Sequence, residues 1–163
     1  SETGAVNKTK GMAPVLLGTK IYVCEEKSLR PEISFIGHIT LPTGSSNFRP
    51  AYTAPDFRFA FANTLSDKID VGYNLGYEWD GNSPQGQAIY TLALGFAFAK
   101  RWSTYLEVYG EKPESEPFAH NSAGGFKFLI APNWQVDISG GLGLNSLAPE
   151  YYLASGIRLR VPY

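Results

Sequence analysis

Cysteine is almost missing from this chain. Cys24 stands alone, so neither an internal disulfide framework nor a thiolate zinc site can form. We read Cys24 as a small residue at a strand end. Histidine is nearly as scarce: His38 and His120 are the only two, too few to assemble a metal site by themselves. No apolar run approaches the roughly 18 residues that a membrane-crossing helix needs. Neither sign of charge dominates: 14 Lys+Arg face 15 Asp+Glu, giving a net charge of -1. That balance argues against nucleic-acid binding through a basic surface.

What the chain has instead is alternation. From Tyr151 onward, Leu153, Ile157, Leu159, Val161 and Tyr163 fall on one parity, and Ala154, Gly156, Arg158 and Arg160 on the other. A strand has a side-chain period of two, so this is one apolar and one cationic face. The same pattern recurs in about eight earlier segments of about ten residues each, separated by turn residues, as in a transmembrane β-barrel. Phe57, Phe59 and Phe61 oppose Asp56, Arg58 and Ala60; Tyr90, Leu92, Leu94, Phe96 and Phe98 oppose Thr91, Ala93, Gly95 and Ala97. Such a chain has a mean hydropathy of only -0.16, because every second residue is polar or small. A soluble β-sandwich shows the same parity.

Two features favour the membrane. Connections alternate in length: 64–68, 99–101 and 131–133 are tight, whereas 42–53, 80–87, 111–117 and 145–150 are long and rich in Gly, Pro, Ser or Asn. Aromatic residues collect at strand ends on the apolar parity: Tyr77, Trp79, Trp102, Phe118, Trp134, Tyr151 and Tyr163. These predict two interfacial girdles. The expected fold is an all-β, antiparallel up-and-down transmembrane barrel. Residues 1–10 form an extracellular or disordered start, and 11–163 form nine strands of the barrel. Single-chain bacterial barrels have even strand numbers. With the tight turns and the C-terminus in the periplasm, the pattern predicts an odd number of missing N-terminal strands, most simply three, and a barrel of about twelve.

With the strands laid out, several stretches become recognisable: Leu17-Gly-Thr-Lys-Ile-Tyr22, Leu41-Pro-Thr-Gly-Ser45, Gly72-Tyr-Asn-Leu-Gly-Tyr-Glu78, Glu107-Val-Tyr-Gly-Glu111 and Ile130-Ala-Pro-Asn133 followed by Gln135-Val-Asp137. In this order, from Leu16 to Tyr163, the chain resembles the family of outer-membrane barrel transporters first linked to phenol meta-pathway degradation. The segment before Lys10 carries no match. The resemblance implies an outer-membrane barrel and uptake of small, often hydrophobic compounds. The closing segment, with Gly156, Leu159, Val161 and Tyr163, also resembles the insertion signal of bacterial barrels. It implies outer-membrane lipid and the barrel-assembly machinery as partners, with other outer-membrane proteins as further candidates. Pro162 departs from that signal but is tolerable at a strand's last residues.

The polar parity is the candidate solute path: Lys20, Glu32, His38, Asp56, Arg58, Asp70, Glu78, Glu107, Lys127, Asp137, Arg158 and Arg160. The signs are mixed, fitting either a weakly selective passage or a network that fills the interior. Small residues on the same parity, Gly72, Gly76, Ala93, Gly95, Ala97, Ala123, Gly125, Gly141 and Gly143, would leave room inside or relieve strand twist. Ser122 and His120 share the apolar parity near Glu114 and Glu116, the raw material of a lipid acyl hydrolase. Polar residues are ordinary at a barrel rim, however, and the chain is read as a non-enzyme without metal or cofactor. The expected function is a channel or transporter-like barrel for small solutes in the bacterial outer membrane. The alternative is a non-conducting structural or partner-binding subunit of a larger complex there.

Overall fold

The computed structural model describes residues 10–161. Nine strands follow one another: β1 (Leu16–Cys24), β2 (Glu32–Thr40), β3 (Ala54–Ser66), β4 (Ile69–Trp79), β5 (Gly86–Ala99), β6 (Trp102–Pro113), β7 (Ala119–Ala131), β8 (Trp134–Gly143) and β9 (Tyr151–Leu159). Each pairs antiparallel with the next in a single meander sheet. These nine strands do not close into a barrel: β1 and β9 each pair on one side only. The reason is directional. Eight antiparallel steps bring β9 back to the direction of β1, so the two free edges cannot join as an antiparallel pair. Residues 1–9 and 162–163, with Pro162 and Tyr163, the latter expected in a girdle, lie outside the described residues.

The tight turns contain only Asp67-Lys68, Lys100-Arg101 and Pro132-Asn133, between the pairs Ser66/Ile69, Ala99/Trp102 and Ala131/Trp134. Two-residue hairpin turns of the primed types need positive φ, and none of these residues has it. Each turn is instead preceded by a register shift, which makes Leu65, Phe98 and Ile130 extra residues in bulges. The bulge supplies the local twist that the turn does not. The alternation expected through Phe98 and Ile130 is therefore interrupted there. A fourth shift, between Tyr22 and Cys24, pairs Cys24 with Ile33 and moves it to the apolar side, away from Lys20 and Tyr22. The turns are also linked sideways. Lys68, Arg101 and Asn133 carbonyls accept from Ala97, Leu129 and Arg160 amides at 2.8, 2.9 and 2.8 Å.

At the other rim two loops are shorter than expected. β5 starts at Gly86 and β6 reaches Pro113, leaving loops 80–85 and 114–118. Gly86 extends the ladder because the Tyr77 and Trp79 rings occupy the space where a side chain would stand. Pro113 closes the ladder at the last position of its strand, where its missing donor costs little.

The sheet has almost no interior. Among the described residues no large side chain is fully buried. The buried non-glycine strand residues, Ser34, Ala54, Ala119, Asn121 and Ala123, all share the parity of the charges. Side chains crowd on the inside of a curved sheet, so the charged face is the concave one. The convex face carries Leu75, Leu92, Leu106, Phe126, Ile138 and Leu153, all exposed. Nine strands about 4.8 Å apart and about 25 Å tall make an apolar surface on the order of 1,000 Å². Monomeric soluble proteins rarely expose contiguous patches above about 600 Å².

Candidate functional site

Register places Lys20, Glu32, His38, Asp56, Arg58, Asp70, Glu78, Glu107, Lys127, Asp137 and Arg158 on the concave face. Arg160 lies just past β9, with its amide bonded to Asn133 at the tight-turn rim. The face divides into two ends with different chemistry.

At the long-loop end the groups are joined. His38 Nδ1 lies 2.9 Å from Asp56 Oδ1, and Arg58 Nη2 donates to the same oxygen at 3.3 Å. The Arg58 guanidinium also lies 3.7 Å from Glu78 Oε2. Gln87 Nε2 then donates to Glu78 Oε1 at 2.7 Å and to Glu111 Oε2 at 3.0 Å. One connected network thus crosses β2 to β6. Gln87 falls in the 80–87 stretch expected as a loop; its signal in the sequence is the parity it shares with Thr91, Ala93 and Gly95. Arg58 is paired across the ladder with Gly76, where a Cβ would meet Arg58 Cβ at 2.7 Å and collide with the Phe57 carbonyl. That glycine therefore makes room for a neighbour rather than leaving an empty interior.

A segment of the 41–53 loop lies across this end. Its Ala51 and Tyr52 amides donate to Asn82 Oδ1 at 3.1 Å and to the Gly81 carbonyl at 2.8 Å. On the other flank the Ser45 amide donates to the Met12 carbonyl at 3.0 Å, and the Met12 amide returns to Ser45 Oγ at 2.9 Å. The loop roofs a space of about 450 Å³ whose floor includes Thr40, Asp56 and Glu78. The 80–82 turn that holds it is set by Asp80, whose carboxylate accepts from the Asn82 and Ser83 amides at 2.8 and 3.0 Å. Those backbone donors favour the anion and hold the Asp80 carboxyl below the usual carboxylate range.

At the tight-turn end the groups are close but not joined. Asp70, Glu107, Lys127, Asp137 and Arg158 line a depression of about 540 Å³. Among the described residues none of the five makes an ion pair. Lys127 and Asp137 are direct register partners. The Lys127 ammonium nevertheless sits over the Tyr105 ring, 4.7 Å from its centroid. The Asp137 carboxylate folds over Gly156, where a Cβ would meet its oxygens at 2.8 and 3.1 Å.

The convex face ends in aromatic residues. Tyr77 and Trp79 (4.6 Å between centroids), Phe118 and Tyr151 lie at the long-loop rim; Trp102 and Trp134 lie at the tight-turn rim. The alternation reading overlooked two members. Phe128 packs against Trp102 at 4.6 Å, and Tyr90 against Phe118 at 5.8 Å. Tyr90 Oη also lies 2.7 Å from His120 Nδ1, and Phe118 stacks on the same imidazole. His120 is thus held by aromatic neighbours rather than by a carboxylate. Ser122 stands two residues on, on the same face, opposite Val108 and Leu142.

A two-faced antiparallel meander, charged inside its curve and apolar outside, is the class of wall defined by these residues. Within that class, the family model described as "Putative MetA-pathway of phenol degradation" matches residues 1–161, and the chain belongs to this family. The match begins at residue 1 and so includes the segment before Lys10, where no motif was visible. Among curated proteins none matches the chain significantly.

Proposed function

We propose that this chain forms most of the wall of an outer-membrane β-barrel that passes small solutes along its charged concave face. The observation that carries the reading is the inversion of faces: the apolar, aromatic-ended side is convex and exposed, and the charges crowd inside the curve. Such a surface is stable against hydrocarbon and unstable in water. Hydrocarbon would cover the convex face, with Trp102 and Trp134 at one interface and Tyr77, Trp79 and Tyr151 at the other. The free edges of β1 and β9 would be joined by an odd number of further antiparallel strands, and β9 would be the segment presented to the barrel-assembly machinery. The test is conductance of the full-length protein in planar bilayers. Discrete channel openings whose ion preference shifts on joint replacement of Arg158 and Arg160 by Gln support the passage; electrically silent bilayers with folded protein refute it.

A second reading is a non-conducting wall that serves as a structural or partner-binding subunit of a larger outer-membrane complex. It is favoured by the network across β2 to β6 and by the loop held over it, which together fill one end of the concave face. Silent bilayers together with co-purification of a stoichiometric membrane partner would select it.

A further inference from the structure

We propose that the tight-turn end of the concave face is a binding subsite for small zwitterionic solutes, with Lys127 and Arg158 receiving the carboxylate and Asp70 and Glu107 the ammonium group. This deepens the proposed passage and rests on it. The argument starts from charges that stand around one open space without using one another. The depression of about 540 Å³ is the size of a small-molecule site. Its floor is kept low by Ala93, Gly95, Ala97 and Ser103.

The fold itself holds the charges apart. The Asp70 carboxylate lies over Gly95, where a Cβ would meet its oxygens at 2.5 and 2.6 Å. Asp137 is turned onto Gly156 in the same way, while Lys127 is drawn over Tyr105. Asp70 stands on β4 and Glu107 on β6; Lys127 and Arg158 stand on β7 and β9. Asp70 and Glu107 thus line one side of the trough and Lys127 and Arg158 the other, with Asp137, turned aside onto Gly156, between the two cations. A simple anion would satisfy the cations and face the carboxylates uncompensated; a simple cation would do the reverse. A solute carrying both charges pairs with both sides, and each partially desolvated pair forms a charge-assisted hydrogen bond. The long-loop end has no such vacancy, because its carboxylates already bond His38, Arg58 and Gln87.

The test is equilibrium binding to the full-length protein in detergent micelles, followed by saturation-transfer NMR, with three matched probes: 4-aminobutyrate, butyrate and butylammonium. The zwitterion should bind about tenfold more tightly than either singly charged probe. Lys127→Met and Asp70→Asn should each remove most of that preference, and Lys127→Arg should keep it. Equal affinity for the three probes, or a preference that survives both Lys127→Met and Asp70→Asn, overturns the subsite. Preferential binding without conductance refutes the passage and supports the subsite. Conductance without preference overturns the subsite alone.

Discussion

At one end of the concave face, carboxylates, a guanidinium, an imidazole and an amide are bonded into a single network under a loop; at the other, carboxylates, an ammonium and a guanidinium surround a trough without forming ion pairs. The difference lies in which way the side chains turn, and not in register alone. At the long-loop end His38 is paired with Asp56, and Asp56 with Glu78; Arg58, two residues on from Asp56, reaches both carboxylates and joins them. At the tight-turn end the direct partner of Asp70 is Gly95, and that of Asp137 on β9 is Gly156. Both carboxylates lie over those glycines, and Lys127, the partner of Asp137 on β7, is turned instead over the Tyr105 ring. Glycines beside Asp70 and Asp137 thus help to keep those two charges out of ion pairs.

The sharpest way to break this contrast is at glycines four residues apart on β4. Gly76→Val should destabilise by about 2 kcal/mol, because the new side chain meets backbone and Arg58 at once. Gly72→Ala should change stability by less than about 0.5 kcal/mol, since the nearest atom to its Cβ would be the Phe61 carbonyl oxygen at 3.8 Å. Urea unfolding in micelles compares the two; equal losses would remove the distinction.

A smaller effect separates the two arginine and lysine sites. Arg58→Met leaves Asp56 and Glu78 facing each other without their shared cation. The side chains are up to a third exposed, so solvent screening limits the cost to about 1 kcal/mol. Lys127→Met, which breaks no ion pair, should stay within about 0.5 kcal/mol. Thermal unfolding of both variants checks the difference.

Smaller still is the pH dependence of the loop over the bonded end. The Asp80 carboxyl is held below its unfolded value by the Asn82 and Ser83 amides. Its contribution is therefore present above the unfolded carboxylate pKa and is lost as pH falls through the lower folded value. Acidification across that window should speed proteolytic cleavage within residues 41–53, and Asp80→Asn should flatten the response. Last, Ser122→Ala on the convex face should alter neither stability nor any acyl-hydrolase activity of the purified protein. Loss of such an activity would reinstate the Ser122–His120 pair.

How much of this was written in the sequence varies with the kind of interaction. The strands and their two faces were legible because a period of two is local, and the polarity of Phe57, Arg58 and Phe59 needs no partner to be read. The bulges at Leu65, Phe98 and Ile130 were not, since an extra residue shows only when a strand is laid beside its neighbour. Gln87 was hidden because Gly86 looked like loop until the Tyr77 and Trp79 rings were seen to fill its empty side. The division of the charges into a bonded and an open end depends on pairings such as Asp70 with Gly95, which no single segment contains.

The shared heading of β1 and β9 has a bearing on how such a sheet avoids mistakes. Two copies threaded through a bilayer in the same sense can bring a first border against a last border only side by side in the weaker, parallel fashion. Like borders, two β9 or two β1, would need one molecule upside down to mate in opposed directions. Were the proposed wall inserted in one direction only, that arrangement would be forbidden, and insertion would double as proofreading against runaway ribbons before the barrel closes.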